Sequence, residues 1–205
     1  RHRTHEVALD EVRDATAHPQ AVVLAAVLRV DLGGVREVEA RHRAAVWRDD
    51  LVVAHPHHHL PKKRLKKIAD ICKRNGADVT EIIADVVNQS AMQQNLDKIS
   101  NKHKVDIVIA CAGVSAGTLN GPETTEQANK IFDVNLNGAL NSVMPLIPHM
   151  IKNKFGNIAI ISSMAGMIGL SSAPSYSASK AAVRIFSDAL NGYLKSYNIY
   201  VSNVI

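Results

Sequence analysis

The first 61 residues of the chain lack eight amino-acid types that the rest of the sequence uses freely: lysine, isoleucine, asparagine, serine, phenylalanine, tyrosine, methionine and cysteine. The remaining 144 residues contain 13 lysines, 17 isoleucines and 14 asparagines. One evolving domain rarely changes its composition so abruptly. We therefore predict an atypical N-terminal region, residues 1–61, and a core domain, residues 62–205. The N-terminal region is either a degraded β-α-β unit or sequence of foreign origin, such as a fusion or a wrong reading frame.

Other scarce features exclude several classes of protein. The two cysteines, Cys72 and Cys111, do not form a disulfide framework, and reduced thiols are typical of the cytoplasm. No run of 18 apolar residues is present, so no membrane span is predicted. The N-terminus shows no signal-peptide pattern. We expect a cytoplasmic protein with no membrane partner.

Aromatic residues make up only 4% of the chain, which disfavours recognition of nucleic acids by base stacking. The net charge of +5 divides unevenly, because residues 1–61 have 8 arginines and 9 acidic residues, or −1, and residues 62–205 have 16 basic and 10 acidic residues, or +6. The densest basic stretch, residues 61–67, opens an amphipathic helix. We interpret it as a solvated helix face and expect no nucleic-acid partner.

From residue 65 onward, short apolar segments alternate with segments of helical periodicity. The pattern predicts strands over 79–84, 105–110, 157–162 and 199–205, and helices over 65–74, 90–102, 124–153 and 176–197. This alternation indicates an α/β fold, a Rossmann-like, doubly wound parallel sheet in a single domain. Ligands bind at the carboxyl ends of such strands, where Asp85, Gly113 and Ser163 are predicted to lie.

The most informative chemical pattern combines Ser163, Tyr176 and Lys180. Tyr176 and Lys180 are four residues apart, so they share one face of a helix, and Ser163 follows an apolar strand. A carbonyl that becomes an alkoxide needs an acid, and the reverse reaction needs a base. A free tyrosine has a pKa of about 10, and a neighbouring ammonium favours the phenolate and lowers that pKa, as general acid–base catalysis requires. Ser163 can hold the substrate oxygen by a hydrogen bond.

Over residues 65–205 the sequence resembles the short-chain dehydrogenase/reductase family, which shows the same Ser-x12-Tyr-x3-Lys spacing. Asn135 lies 28 residues before Ser163, where the family has its fourth catalytic residue. The resemblance implies that Tyr176 is the acid and base, that Lys180 lowers its pKa and holds the ribose, that Ser163 steadies the substrate oxygen, and that Asn135 supports a proton relay.

The resemblance also implies a binding site for NAD or NADP, in which Tyr176 and Lys180 take part. Asp85 and Val86 match the family's segment that meets the adenine ring. The family's Asn-Asn-Ala-Gly turn is matched by Ala110, Cys111, Ala112 and Gly113. The first two residues of this turn depart from the family pattern, so their side-chain contacts differ from those of the family. No metal site is implied.

Several of these residues have simpler interpretations. Tyr176 and Lys180 are also compatible with an ordinary amphipathic helix, and Cys111 with a small buried core residue. Asp85 is equally compatible with a cap at the end of a strand. Asn135 lies inside a predicted helix, where asparagine has a low propensity, and this favours a special role for it.

The sequence lacks the glycine-rich turn that binds pyrophosphate in a Rossmann fold. Gly33 and Gly34 are the only glycines among the first 61 residues. Residues 21–30 are predicted as a strand or a helix and residues 49–54 as a strand, so a β-α-β unit is one interpretation; a helical or poorly ordered segment is the other. The histidines at positions 55, 57, 58 and 59 indicate a solvated linker rather than a metal site.

The resemblance implies an NAD(P)-dependent oxidoreductase that interconverts a carbonyl and an alcohol by hydride transfer. We expect a small-molecule substrate and a homodimer or homotetramer. A partly apolar substrate pocket is predicted from Met164, Met167, Ile168, Leu170 and Pro174. The second hypothesis is a catalytically silent fragment that acts as an oligomerising or interaction module, because the glycine-rich turn is missing and the fold is expected to be truncated at the C-terminus.

Overall fold

Parallel strands form the centre of the structure, a computed structural model that describes residues 23–25, 51–55, 62–74, 79–115 and 121–205. The strands are β1 Val23–Ala25, β2 Leu51–His55, β3 Val79–Ile83, β4 Ile107–Ala110, β5 Gly156–Ile161 and β6 Ile199–Val204. They form one sheet in the order β3-β2-β1-β4-β5-β6, and every adjacent pair is parallel. The predicted Rossmann-like α/β fold is confirmed.

The strand order reverses its direction between β1 and β4. Starting at β1, the chain moves outward to β3 and then returns to β4, before moving outward to β6 on the other side. Right-handed crossovers therefore place the helices of the two halves on opposite faces of the sheet. Ligands of such folds bind beside the reversal, at the carboxyl ends of the strands.

The N-terminal strands belong to the same sheet as the core domain. Leu24 pairs with Val52 on β2 and with Val108 on β4, so β1 lies between a strand of the atypical region and a strand of the core. Residues 21–30, for which strand and helix were both open, contain β1. Gly33, Gly34 and the histidines at positions 57–59 lie outside the described residues, and so do residues 56–61, where the predicted boundary between the two regions falls.

The helices are α1 Lys62–Arg74, α2 Gln89–Ser100, α3 Thr125–Phe132, α4 Gly138–Val143, α5 Ile147–Asn153 and α6 Pro174–Leu194. Helix α2 begins after Asn88, whose side chain accepts a hydrogen bond from the amide of Ala91. Helix α3 begins at a capping box between Thr124 and Gln127. These local signals explain why the predicted helix starts lie within a few residues of the observed ones.

The predicted long helix over 124–153 is interrupted twice. A π-helical turn, Asp133–Asn137, separates α3 from α4, and a 3₁₀ turn, Met144–Leu146, separates α4 from α5. The second interruption contains Pro145, which has no N–H to donate. The first contains no proline or glycine.

The hydrophobic core fills the space between the sheet and its helices. Its largest fully buried side chains are Met92, Leu96, Ile131, Leu146, Met150, Ile158, Ile160, Leu194 and Ile199. Strand β4 is apolar along nearly its whole length, as expected for a central parallel strand covered on both faces. In the described part of the chain, no helix combines the length and the apolar character needed to cross a membrane.

Candidate active site

Lys180 is buried at the carboxyl edge of the sheet. It lies on helix α6 with 4% of its surface exposed, and its Nζ donates a hydrogen bond to the backbone oxygen of Ile161, at 2.8 Å. Burial lowers the pKa of the Lys180 ammonium, and a smaller electrostatic effect of Cys111 acts in the opposite direction. A buried ammonium is costly unless it is paired, so this lysine differs from a solvated lysine on a helix surface.

Tyr176 lies one helical turn before Lys180, on the first turn of α6. The Lys180 Nζ is 5.9 Å from the centroid of the Tyr176 ring, within the range of a cation–π contact. The tyrosine itself is half-buried. The four-residue spacing of Tyr176 and Lys180 therefore brings a phenol beside a desolvated ammonium. An ordinary amphipathic pair on a helix surface would not require a buried lysine.

Asn135 is at the middle of the π-helical turn and is buried. Its Oδ1 accepts from the amide of Val114 at 2.7 Å, and its Nδ2 donates to the oxygen of Val114 at 3.0 Å and to Ser179 Oγ at 2.9 Å. Ser179 Oγ in turn donates to the backbone oxygen of Tyr176 at 2.8 Å. Asn135 thus joins the loop after β4 to the helix that bears Tyr176, and these contacts account for an asparagine in a helical segment.

Gly113 lies between Lys180 and Asn135. A Cβ at position 113 would be 3.4 Å from the Lys180 Nζ and 3.5 Å from the Asn135 Oδ1. The loop after β4, the π-helical turn and helix α6 therefore meet at this glycine. Its neighbours in the predicted cofactor turn differ in exposure, since Ala112 is buried and Cys111 is half-buried.

Ser163 follows strand β5 and is half-buried. Its backbone is extended, and its Oγ accepts a hydrogen bond from the amide of Ala165 at 3.2 Å, which caps the 3₁₀ turn Met164–Gly166. This bond uses the hydroxyl oxygen as an acceptor, so the O–H remains available as a donor. Position and donor capacity suit a group that holds a substrate oxygen.

The loop after strand β5, which begins at Ser162 and includes Ser163, is held against α6 by three contacts. Ser162 Oγ donates to the backbone oxygen of Lys180 at 2.9 Å, and the amide of Leu170 donates to Ser177 Oγ at 3.0 Å. Between them, Gly166 packs directly on the helix, because a Cβ at this position would lie 2.7 Å from the carbonyl carbon of Lys180. These contacts fix the loop relative to the tyrosine and the lysine.

The Ser163 loop also presents an exposed apolar surface. We define the apolar ledge as Met164, Met167, Ile168 and Leu170, which are 62%, 58%, 65% and 44% exposed. No charged residue or histidine occurs between positions 162 and 179. An uncharged, apolar surface therefore borders the predicted catalytic residues, and the substrate pocket predicted from these residues and Pro174 stays a prediction.

Asp85 and Val86 lie just after strand β3. Asp85 Oδ1 accepts from the amide of Val87 at 3.0 Å, which is the side-chain turn expected of a cap at the end of a strand. Val86 is fully buried, and its backbone oxygen accepts from Asn141 Nδ2 at 2.8 Å. The capping interpretation of Asp85 is thus observed, and contact with an adenine ring stays a prediction.

Sequence reasoning missed several residues that organise this region. Ser162, Gly166 and Ser179 lie beside predicted residues, and their role depends on close approach between separate segments. Small side chains around Tyr176 and Lys180 were the available signal. Glu123 contacts Ser175, 52 residues away, and no local pattern marked it. Among the described residues, no three His, Cys, Asp or Glu side chains are grouped closely enough to bind a metal ion.

Comparison with known proteins gives consistent similarities. The model of the family described as short chain dehydrogenase matches residues 56–205. An uncharacterized oxidoreductase of Myxococcus xanthus is 30% identical over 141 residues, which cover 68% of this chain and 55% of the relative. A 3-dehydrosphinganine reductase of Danio rerio is 32% identical over 155 residues, 74% of this chain and 46% of the relative.

Solved structures show the same similarity. A short chain dehydrogenase from Mycobacterium paratuberculosis, bound to NAD, superposes with a TM-score of 0.69 at 25% identity, over 75% of this chain and 61% of that one. The chain spans about half the length of the curated relatives it matches.

Proposed function

Because the chain belongs to the short-chain dehydrogenase family, we propose that it interconverts a carbonyl and an alcohol by hydride transfer with NAD or NADP. The observation that supports this most directly is the convergence of Tyr176, Lys180 and Asn135 near Gly113. Gly113 follows β4, at the edge of the sheet where ligands of this fold bind. A phenol, an ammonium and a buried amide are therefore available where a cofactor and a carbonyl would meet.

Lys180 and Asp85 both have hydrogen-bonding groups that are available to a nicotinamide dinucleotide. The bond to Ile161 uses one of the three N–H groups of the Lys180 ammonium, which leaves donors for ribose hydroxyls. The bond to Val87 uses Oδ1 of Asp85, which leaves the other oxygen as an acceptor for the adenine ring. Val86, Cys111, Ala112 and Gly113 would line the same site. When bound, the nicotinamide supplies or accepts the hydride.

The proton chemistry falls to Tyr176 and its neighbours. The Tyr176 hydroxyl would donate a proton to the carbonyl oxygen as the alcohol forms and would take it back in the reverse direction. The positive charge of Lys180 attracts the negative charge that appears on the phenol oxygen. Ser163 would donate its free O–H to the substrate oxygen. Asn135 would hold the loop and the helix in register and support the proton relay.

The apolar ledge supports a substrate with an apolar portion next to its carbonyl. Covering water-exposed methionine, isoleucine and leucine side chains with an apolar group is favourable, because it removes apolar surface from water. Residues 162–179 contain no charged side chain that would favour a charged substrate instead. The Danio rerio relative is named as a reductase of 3-dehydrosphinganine. We propose a carbonyl or alcohol of mainly apolar character as the small-molecule substrate.

We further propose that the protein acts as a homodimer or homotetramer in the cytoplasm. Helix α6 exposes Ile185 and Tyr193 to solvent, and such apolar side chains favour association. Neither Cys72 nor Cys111 forms a disulfide, which suits a reducing compartment. Light scattering at several protein concentrations tests the oligomeric state, and a monomer at all concentrations would contradict it.

Equilibrium binding of NADH and NADPH to the purified chain tests the proposed function. We expect saturable binding that Lys180→Met weakens and that Lys195→Ala, a change of an exposed lysine just after the same helix, leaves unchanged. Tyr176→Phe should retain cofactor binding and lose turnover of an apolar ketone. A folded chain that binds neither cofactor at millimolar concentration would refute the proposal and favour the alternative, a catalytically silent interaction module.

A further inference from the structure

A carboxylate outside the predicted site lies at the beginning of the helix that bears Tyr176 and Lys180. Glu123 Oε2 accepts a hydrogen bond from the amide of Ser175 at 3.0 Å and a second from Ser175 Oγ at 2.6 Å. Ser175 directly precedes Tyr176. The two bonds connect segments that are 52 residues apart in the sequence.

The residue at the N-cap position of helix α6 does not cap the helix with its side chain. The residue before the helix, Ala173, makes no side-chain capping bond. The first turn of a helix leaves backbone N–H groups without intrahelical partners, and Pro174 contributes none. Glu123 supplies the missing acceptor, and its negative charge is favoured by the positive end of the helix dipole. The first turn, which includes Tyr176, therefore depends on a residue from a distant segment.

The carboxylate is itself firmly placed. Glu123 directly precedes Thr124, whose side chain accepts from the amide of Gln127 at 3.2 Å while the Gln127 side chain accepts from the Thr124 amide at 3.4 Å. This capping box fixes the backbone next to Glu123 at the start of α3. The contact with Ser175 thus links the start of one helix to the start of another.

The second carboxylate oxygen makes the arrangement costly. In the described part of the chain, Glu123 Oε1 is buried without a hydrogen-bond partner. A buried oxygen without a partner opposes folding.

We propose that Glu123 is a positioning residue for Tyr176, which holds the first turn of α6 so that the phenol stays beside Lys180. The role rests on the proposed function, because the phenol is needed in the chemical step. Lys180 has separate anchors, since Ile161 holds its ammonium and Ser162 holds its backbone oxygen. Loss of Glu123 should therefore displace the tyrosine and leave the lysine in place.

Steady-state kinetics with a ketone substrate test this assignment. We expect Glu123→Ala to lower kcat by about 10- to 100-fold, because a misplacement of about 1 Å can cost that much. The KM for the cofactor should stay within about threefold. Glu123→Gln keeps an oxygen that can accept from Ser175 and should restore kcat to within about threefold of wild type. Asp70→Ala, which removes an exposed carboxylate on helix α1, is the control and should leave kcat unchanged.

Amide hydrogen exchange over residues 171–180 is measured on the same variants. Glu123→Ala should speed exchange in this segment, and Glu123→Gln should not. The proposal is overturned if exchange is unchanged in Glu123→Ala, if kcat falls while Glu123→Gln fails to restore it, or if exchange rises while kcat stays at the wild-type level. Failure of the proposed function is distinct, because the wild-type chain would then neither bind cofactor nor turn over, and the positioning role would fall with it.

Discussion

Replacing Gly166 by alanine should destabilise the fold and displace Lys180 at once. A Cβ at position 166 would lie 2.7 Å from the carbonyl carbon of Lys180, 2.8 Å from its oxygen and 2.9 Å from the nitrogen of Ala181. Carbon atoms pack best at about 3.5–4.0 Å, so the turn and the helix would have to separate by about 1 Å. All three atoms belong to the backbone of α6, so no side-chain rotation can relieve the clash.

The cost can be worked out from these contacts. Overpacking of a dense core typically costs about 1–3 kcal/mol. The separation would also stretch the bond from Ser162 Oγ to the Lys180 oxygen, now 2.9 Å, and such a bond contributes about 1 kcal/mol. We expect Gly166→Ala to lower the free energy of unfolding by about 2–4 kcal/mol. The shift of Lys180 should also lower turnover, by up to about 100-fold.

Urea unfolding followed by circular dichroism measures this effect, with the midpoint lowered at constant slope. Gly192→Ala is the control, because Gly192 lies within α6 and a Cβ at this position would have nothing within 4 Å. It should raise stability by about 0.5–1 kcal/mol, since alanine is the better helix former. An unfolding midpoint of Gly166→Ala equal to that of wild type, or shifts of the same sign in both variants, would refute the proposed packing.

Three further predictions concern buried polar groups and a cap. Lys180→Met should abolish turnover but raise the urea midpoint at pH 7, because burial lowers the pKa of the ammonium below its ordinary value of 10.5. Between the pKa of Lys180 in the folded chain and its pKa in the unfolded chain, the unfolded chain binds more protons. Wild-type stability relative to Lys180→Met should therefore rise as the pH increases through that window. A stability difference that is independent of pH would contradict this. Asn135→Leu removes the three hydrogen bonds of the buried amide to Val114 and Ser179 and should cost about 1–3 kcal/mol in the same urea assay, whereas a neutral effect would rule out the observed network. Asn88→Ala removes the cap of α2 and should cost about 1 kcal/mol, and Asn88→Asp, which keeps the acceptor, should unfold close to wild type.

Much of the fold could be predicted from local pattern. The strands from β3 to β6 and the helices α1, α2 and α6 were expected within a few residues of their observed bounds. Hydrophobic periodicity and capping residues act over one or two turns, so they are visible in a single sequence. The motif of Ser163, Tyr176 and Lys180 was visible for the same reason, because its spacing depends on one strand end and one helix.

Ambiguity remained where local pattern allows two outcomes. Residues 21–30 form an apolar run that suits a strand or a helix, and the strand at Val23–Ala25 is decided by pairing with β2 and β4. Asp85 suited a cap or a ligand contact, and its bond to Val87 shows that the cap is made. The strand is thus decided by pairing with distant segments, whereas the cap of Asp85 is made with an amide two residues away.

The sequence by itself determined the α/β alternation and the identity of the candidate catalytic side chains, because these follow from short-range periodicity and from residue chemistry. Only the tertiary structure decided how the groups are supported. The π-helical turn at Asn135, the glycine contact of Gly166 and the link from Glu123 to Ser175 all join segments that are far apart in the chain. Such contacts depend on the distance between backbones after the sheet and helices have packed, and no local sequence pattern encodes that distance.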